Sequence, residues 1–241
     1  LSWTEVNDLN TARDEIGGAG NSKTAALGIG GGTGSNSALN ESWNGSSWTE
    51  VGDLVSATKQ QASSGTYTSA LSYGGDAPPG TTTNTQSWDG SSWTEVNDLS
   101  TARYKLGGSG ASNTTALAFG GLNASDSVQS ATEEWSFSGL PPSTPAADYA
   151  DAITGDFYYN STTGQFKTVN TGGAPIGTWA SKSNMNTARY LGACRGIASS
   201  AIYSTGYTNT NLANVETWDG SSWTETTDVN SARRILAGAG T

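Results

Sequence analysis

The segment SWTEVNDLNTAR opens the chain at residues 2–13, and four further versions of it follow. They are SWTEVGDLVSAT (47–58), SWTEVNDLSTAR (92–103), TWASKSNMNTAR (178–189) and SWTETTDVNSAR (222–233). Each version has a tryptophan ten residues before the arginine or threonine that ends it, and a glycine follows seven residues later. A fixed period of about 45 residues indicates one supersecondary unit repeated along the chain rather than one ordinary core.

Each unit contains four short segments with the composition of β-strands. In the first unit they are TARDEIGGAG (11–20), TAALGIGG (24–31), ALNESW (38–43) and SSWTEV (46–51). Asn44-Gly45 separates the last two, and Asp-Gly takes its place at 89–90 and 219–220. Such dipeptides favour a type I′ hairpin turn. The flanking tryptophans pair directly across a four-residue loop and diagonally across a two-residue loop. Four strands in each period predict an all-β fold, a β-propeller of four-stranded blades.

The twin glycines after the second strand (30–31, 74–75 and 120–121) and the tryptophan in the fourth strand resemble the kelch repeat. The resemblance covers most of the chain outside 139–176 and departs at Thr205-Gly206. It implies a propeller architecture and says little about activity, since one fold hosts many functions. Complete units span 7–51, 52–96, 97–182 and 183–226. Residues 1–138 thus hold the first three blades, and 177–241 hold the fourth blade and the start of the next.

The predicted propeller is incomplete at both ends. Residues 2–6 are expected to be a spare fourth strand, and residues 231–240 a spare first strand of the same blade. We therefore expect the native chain to continue past Thr241, or a neighbouring chain to supply the two missing strands, because unpaired strand edges promote association.

The third unit carries a long insertion at 139–176 between Trp135 and Trp179. Its proline cluster predicts an extended linker. The segments GDFYYN (155–160) and QFKTVN (165–170) predict a separate β-hairpin. A lone hairpin is marginally stable, so it is expected to lie on the propeller or on another subunit.

The chain resembles repeat proteins encoded by marine bacteriophages, including cyanophages. The resemblance rests on WNGSSWTEV (43–51), NDLNTAR (7–13), GGAG (17–20), TALAFGG (115–121) and the YYNSTTGQFK hairpin (158–167). It implies a virion component: a tail fibre, receptor-binding or capsid-surface protein that acts outside the host cell. The implied partners are other virion subunits or further copies of the chain, and a glycan or protein receptor on the host surface.

Composition excludes several classes of function. The net charge is −10 and no run of Lys or Arg is present, which argues against nucleic acid or an anionic membrane surface as partner. No apolar stretch is long enough to cross a bilayer. Histidine is absent and Cys194 is the sole cysteine, so the commonest general base and metal ligand are missing. We expect no cofactor and no metal site, and a binding protein rather than an enzyme.

Two sets of repeated residues are candidates for either packing or binding. The tryptophans could stack on sugars, but their recurrence favours packing between blades. The arginines could face an anionic ligand, but pairing with a nearby carboxylate, such as Asp8, Asp53, Asp98 or Asp228, or with loop carbonyls is favoured. The structural positions are therefore Trp3, Trp43, Trp48, Trp88, Trp93, Trp135, Trp179, Trp218, Trp223, Arg13, Arg103, Arg189 and Arg233.

The loops between the second and third strands differ in every unit, at 32–38, 76–85, 122–131 and 207–214. Variable loops on a fixed scaffold are typical of a recognition surface, and the insertion is expected on the opposite face. The candidate binding residues are Asn36, Asn84, Asn123, Asp126, Tyr207 and Asn209. Two alternatives stay open: a secreted lectin-like or protein-interaction propeller of cellular origin, and a glycan-processing enzyme with two distant carboxylates.

Overall fold

The computed structural model describes residues 4–137, 157–160, 165–168, 177–236 and 238, which form strands and turns. Within these ranges no helix is long and apolar enough to cross a membrane. The strands assemble into four antiparallel sheets of four strands each, which confirms the predicted all-β class and four strands per unit.

The sheets follow one another along the chain. Sheet 1 contains β1 (Gly17–Ser22), β2 (Ala25–Ile29), β3 (Asn40–Trp43) and β4 (Trp48–Val51). Sheet 2 contains β5 (Ala62–Thr66), β6 (Ser69–Tyr73), β9 (Thr85–Trp88) and β10 (Trp93–Val96), with the short β7 (Asp76–Ala77) and β8 (Gly80–Thr81) between β6 and β9. Sheet 3 contains β11 (Gly107–Ser112), β12 (Thr115–Phe119), β13 (Thr132–Phe137) and β16 (Gly177–Lys182). Sheet 4 contains β17 (Ala193–Ile197), β18 (Ser200–Tyr207), β19 (Asn211–Trp218) and β20 (Trp223–Glu225).

The predicted hairpin of the insertion is present. Its strands β14 (Phe157–Asn160) and β15 (Gln165–Thr168) pair antiparallel, with Asn160 opposite Gln165. The rest of the 139–176 segment lies outside the described residues.

The four sheets pack side by side through their first strands. In each sheet the strands hydrogen-bond in sequence order from first to fourth. β1 packs against β5, β5 against β11, and β11 against β17. All four first strands line one central cavity of about 650 Å³. The hydrophobic core is divided into three layers, one between each pair of neighbouring sheets.

The strand bounds correct the sequence-based ones at the start of each unit. The first strand of sheet 1 begins at Gly17, not at Thr11, and residues 4–16 form no strand. We call the stretches 13–16, 58–61, 103–106, 189–192 and 233–236 the lead-in segments. The expected strand at 2–6 is absent from residues 4–6, and the described residues of 231–240 contain only a bridge at Arg233. A strand needs a neighbouring strand to pair with. Among the described residues, the segment at 231–236 pairs only through the bridge between Arg233 and Leu212, and residues 4–6 pair with none.

The repeated Asn-Gly and Asp-Gly turns have four-residue loops, so the flanking tryptophans pair directly. Trp43 lies opposite Trp48, with ring centroids 5.4 Å apart. The predicted type I′ turn is wrong, because only the glycine, Gly45, has a positive φ (97°). The Asn44 side chain explains the difference. Its Oδ1 accepts the backbone N–H groups of Ser46 at 2.9 Å and Ser47 at 3.0 Å. These bonds stabilise the turn although Asn44 itself does not have a positive φ.

Asp219 makes the same bonds in sheet 4, and we expect its carboxyl group to titrate far below the usual range. Backbone N–H donors of Ser222 and Ser221 lower its pKa from 3.8 to about 2. Since the folded pKa lies below the unfolded one, this carboxylate stabilises the fold above pH 3.8 and loses its effect as the pH falls towards 2. NMR titration of the Asp219 carboxyl carbon checks the value, and a midpoint near 4 contradicts it. The matched control is Asp219→Asn, which copies Asn44 and removes this pH dependence.

The tryptophans of the third strands are packing residues. Trp88, Trp135 and Trp218 are at most 2% exposed. Each indole N–H donates to a carbonyl in the turn between the first two strands of its own sheet, as Trp135 does to Asn113 O at 3.0 Å. Burial of an indole with its N–H satisfied is the usual arrangement in a core.

The tryptophans of the fourth strands reach across to the preceding sheet. Trp179 donates to Thr85 Oγ1, and Trp223 to Thr132 Oγ1, both at 3.0 Å. Asn40 accepts from Trp93 at 2.9 Å when its amide is oriented to donate to Gly28 O. Trp48 belongs to sheet 1, which has no preceding sheet among the described residues, and it is only half-buried. The interpretation of these positions as inter-sheet packing therefore fits the geometry. Trp3 lies outside the described residues.

Three of the repeated arginines form buried ion pairs, with side chains 0% exposed. Arg103 donates to Glu133 Oε1 at 2.8 Å, and also to Gly120 O at 3.0 Å and Ala131 O at 2.9 Å. The expected aspartate partners are wrong. The acid is a third-strand glutamate, because the guanidinium points into its own sheet, whereas Asp98 instead accepts from Thr85 N at 3.0 Å. The remaining two pairs are Arg13–Glu41 and Arg189–Glu216.

In sheet 2 the arginine and the glutamate are both replaced. Thr58 replaces the arginine, and Gln86 stands where the other sheets have glutamate. Gln86 Oε1 still accepts a backbone N–H, from Val55 at 2.7 Å, just as Glu133 Oε2 accepts from Ser100 at 2.8 Å. Arg233 belongs to the fifth version of the repeated segment, for which the described residues contain no third-strand acid, and it is exposed.

The glycine pair after each second strand is held at positive φ by close backbone approach. A Cβ on Gly120 would lie 2.6 Å from Arg189 O. Sheet 4 has Thr205 at this position, with φ of 63°, 1% exposure and an unbonded hydroxyl. Left-handed conformation in a non-glycine residue costs about 1–3 kcal/mol.

We therefore expect Thr205→Gly to raise the free energy of unfolding by about 1 kcal/mol, after the entropy gained by the unfolded chain is subtracted. The reciprocal control, Gly120→Thr, should lower it by about 3 kcal/mol, since it adds a clash to the strain. Urea unfolding followed by tryptophan fluorescence measures both. If both substitutions changed the free energy of unfolding by the same amount and in the same direction, Thr205 would not be a strained position.

Candidate functional site

The four variable loops lie at one edge of the sheets, together with the lead-in segments. Backbone bridges join the two: Lys59 pairs with Asp76, Tyr104 with Leu122, and Tyr190 with Tyr207. We call this edge the loop face. The turns between strands three and four lie at the other edge, the turn face, where Trp43 Nε1 donates to Lys23 O at 2.9 Å.

The insertion leaves and rejoins the scaffold at the turn face. Phe137 ends the third strand of sheet 3 and pairs with Gly177, which begins the fourth. The backbone thus departs from the end of sheet 3 that is opposite to its variable loop, as the sequence predicts.

Three of the predicted binding residues hold the loops together. Asn36 donates to Asp76 O at 2.7 Å and so joins the loops of sheets 1 and 2. Asn123 Oδ1 accepts the backbone N–H of Ser125 and of Ser127, both at 3.0 Å. Asp126 accepts the Tyr104 hydroxyl and has a φ of 57°. These contacts shape the loop face, and Asp126, which is exposed, also presents its carboxylate to solvent.

The other three predicted residues lie further along the same face. Asn84 is half-buried beside the start of β9, and Asn209 is exposed at the tip of its loop with a φ of 90°. Tyr207 packs edge-on against Tyr190, with centroids 5.7 Å apart. A role in binding stays a prediction for all six.

The structure brings together residues that sequence reasoning missed. Lys105 Nζ lies 5.2 Å from the centroid of the Tyr104 ring and 6.0 Å from that of Tyr190. Tyr190 contacts Tyr207, and the Arg234 guanidinium lies 4.1 Å from the Tyr207 centroid. We call these five residues the tyrosine–cation cluster. Its tyrosines are half-buried, so part of each ring remains accessible.

The cluster depends on the lead-in segments for its position. Tyr104, Tyr190 and Arg234 each follow directly on a repeated arginine. Lys105 has a φ of 52°, and its N–H donates to Gln60 O at 2.8 Å, which ties it to the neighbouring lead-in segment. These residues could have been found in the sequence, because a variable residue directly follows the repeated arginine in each of these units.

Charge is distributed unevenly around the loop face. On sheets 1 and 2, Glu15 forms an ion pair with Lys59 at 3.2 Å and accepts from Gln60. Burial opposes ionisation of Glu15, but these bonds outweigh it and lower its pKa. On sheet 3, burial and the Asp126 carboxylate raise the pKa of Tyr104 to about 12, so its hydroxyl stays a donor.

The central cavity is lined mostly by small residues of the first strands, and Lys23 and Arg195 line it as well. Cys194 also lines it, and its thiol lies 3.1 Å from Gly108 O. Burial raises the pKa of this thiol, which suits an inert packing residue. Among the described residues, no group of three or more acidic, cysteine or histidine side chains could hold a metal ion.

No protein-family model and no curated protein matches this chain. Among solved structures it is similar to the one described as the structure of YjhT, with a TM-score of 0.61 and 10% sequence identity. The similar region covers 95% of this chain and 69% of that chain. At this identity the similarity concerns the fold alone.

Proposed function

We propose that the four sheets are blades of a kelch-like β-propeller, and that the chain is a non-catalytic binding module. Three features support the architecture: four-stranded blades repeated every 45 residues or so, first strands around a shared central cavity, and fold similarity to a solved protein over most of the chain. The twin glycines sit at positive φ directly after the second strands of sheets 1, 2 and 3, which is where the kelch-like pattern places them.

One observation carries the binding function. Most of the repeated side chains pack within or between the sheets, whereas the residues that vary between units lie on the loop face. Most of the described tryptophans and three of the repeated arginines are buried, and they hydrogen-bond within or between sheets. The loops instead present amide, hydroxyl, carboxylate and tyrosine groups, which suit hydrogen bonding to a polyhydroxyl or polar protein target.

We further propose that the module belongs to a bacteriophage virion, as a tail fibre, receptor-binding or capsid-surface protein working outside the host cell. This rests on the resemblance of the repeats and of the YYNSTTGQFK hairpin. The loop face then engages a glycan or protein of the host surface. The insertion at the turn face docks on other virion subunits or on a second copy of the chain.

A loop exchange and a deletion test whether the loop face binds the host and the insertion mediates assembly. Exchanging the loops at 32–38, 76–85, 122–131 and 207–214 for Gly-Ser segments of equal length, with the buried Ala77, Thr85 and Leu122 retained, should abolish binding to host-surface material and leave assembly intact. Deleting 139–176 should do the reverse. The control exchanges Ser46, Ser91 and Ser221 for alanine, which alters exposed turn-face residues without changing a loop.

The outcomes separate the proposal from its alternatives. Mass spectrometry that finds the chain in purified particles supports the virion. Glycan binding by a chain that never enters particles favours the secreted lectin-like propeller. Turnover of a polysaccharide that one Asp or Glu substitution abolishes favours the enzyme. Unchanged host binding after loop replacement refutes the assignment of faces.

A further inference from the structure

The tyrosine–cation cluster joins flat aromatic surface to positive charge on a chain whose net charge is −10. Its members form one continuous run, from Tyr104 through Lys105 and Tyr190 to Tyr207 and Arg234. The run crosses from sheet 3 to sheet 4 and continues on to the lead-in segment at 233–236. It therefore forms one surface contributed by three units of the repeat.

The two cations of this run are available to a ligand. The ion pairs of the described residues involve Arg13, Lys59, Arg103, Lys182 and Arg189. Lys105 and Arg234 are in none of them. Each lies instead over an aromatic ring, where a weak cation–π contact holds it in place without neutralising its charge.

Neutral and acidic hydrogen-bonding groups border the same surface. The Tyr104 hydroxyl is bonded to Asp126, and that carboxylate keeps acceptor capacity for a hydroxyl group. Half-buried tyrosine rings offer an apolar face at small entropic cost. A ligand that matches all of these groups has a flat apolar ring face, several hydroxyls and an anionic group for each of the two cations.

We infer that this cluster is a subsite for an acidic oligosaccharide, with carboxylates of neighbouring sugar residues held by Lys105 and by Arg234 and a sugar ring packed on the accessible part of the tyrosines. The inference rests on the proposed function of the loop face and specifies its ligand class. An acidic peptide matches the charges, but it lacks the ring face and the hydroxyls that the tyrosines and Asp126 would meet. The sugar is therefore the ligand that the surface favours.

The test measures binding of a galacturonic acid trimer by calorimetry, with its methyl ester as the uncharged counterpart. The acid should bind at least about tenfold more tightly than the ester, since a hydrogen bond to a charged group is worth more than one to a neutral group. Lys105→Met and Arg234→Gln should each weaken binding of the acid about tenfold. The control Lys23→Met removes the same charge near the central cavity and should change nothing.

Each result decides the question. Equal binding of acid and ester, with no effect of Lys105→Met, overturns the inference and leaves a loop face that recognises neutral sugars. Binding of triglutamate as tight as that of the trimer overturns the sugar class. Absence of binding to every trimer also overturns the inference, whereas the proposed function is judged separately by the loop replacement with whole host-surface material. Unchanged thermal unfolding of the variants shows that they are folded.

Discussion

Replacing Arg103 with methionine should lower the free energy of unfolding by about 3–5 kcal/mol, the range found when one member of a buried ion pair is removed. The substitution leaves the Glu133 carboxylate, 2% exposed, without its cation. It also removes the guanidinium donor to Gly120 O and one of the two donors to Ala131 O, which still accepts from Gly120 N–H. Urea unfolding followed by tryptophan fluorescence measures the loss.

The chain offers its own control for this experiment. Arg233 occupies the same place in the repeat, but its side chain is exposed, so Arg233→Met should change stability by less than about 0.5 kcal/mol. The double substitution Arg103→Thr with Glu133→Gln copies sheet 2 and should be at least about 2 kcal/mol more stable than the sum of the single changes. Additive effects would show that the pair does not act as a unit.

Truncation of Trp93 to alanine should cost about 3–5 kcal/mol, as expected for a large aromatic side chain in a core. Trp93 is 6% exposed and packs between sheets 1 and 2. The substitution therefore weakens the contact between these two sheets as well as leaving a cavity. Chemical unfolding monitored by circular dichroism measures it.

Trp48 provides the comparison, since it has the same repeat position without a preceding sheet to cover it. Trp48→Ala should cost about half as much as Trp93→Ala, in proportion to the area that its half-buried ring hides from water. Equal losses would mean that the fourth-strand tryptophans stabilise their own hairpins and not the contact between sheets.

The regular parts of the fold could be predicted from the sequence because they rest on local signals. The Asn44-Gly45 turn, the spacing of Trp43 and Trp48 and the repeat period predict four strands in each unit. The direct pairing of the tryptophans then depends on loop length alone. Strand bounds were less accurate, since the lead-in segments hydrogen-bond to neighbouring sheets and not as regular strands.

The arginine partner could not be predicted from the spacing of charges, because the arginine lies in a lead-in segment and the acid lies in the third strand of the sheet. Arg103 and Glu133 are far apart along the chain and meet only when β13 pairs with β12. The sequence does hold a signal, in that the unit with Thr58 is also the unit with Gln86. Such a paired change at two repeat positions indicates that the two side chains contact each other in the other units.

The candidate site was predicted in part. The loop lengths and compositions point to the loop face, but Tyr104, Lys105 and Tyr190 lie in segments that look like the starts of strands. Tyr190 meets Tyr207 within the fourth unit, but Lys105 reaches Tyr190 only because sheets 3 and 4 pack together. No local pattern in the sequence encodes that packing.

Hydrogen–deuterium exchange with and without bound host-surface polysaccharide tests the role of the loop face most directly. We predict that binding slows exchange in the loops at 32–38, 76–85, 122–131 and 207–214 and in the lead-in segments that carry the tyrosine–cation cluster. The turns at 44–47, 89–92 and 219–222 should exchange as in the free chain. Protection of these turns with unchanged loops would contradict recognition through the loop face.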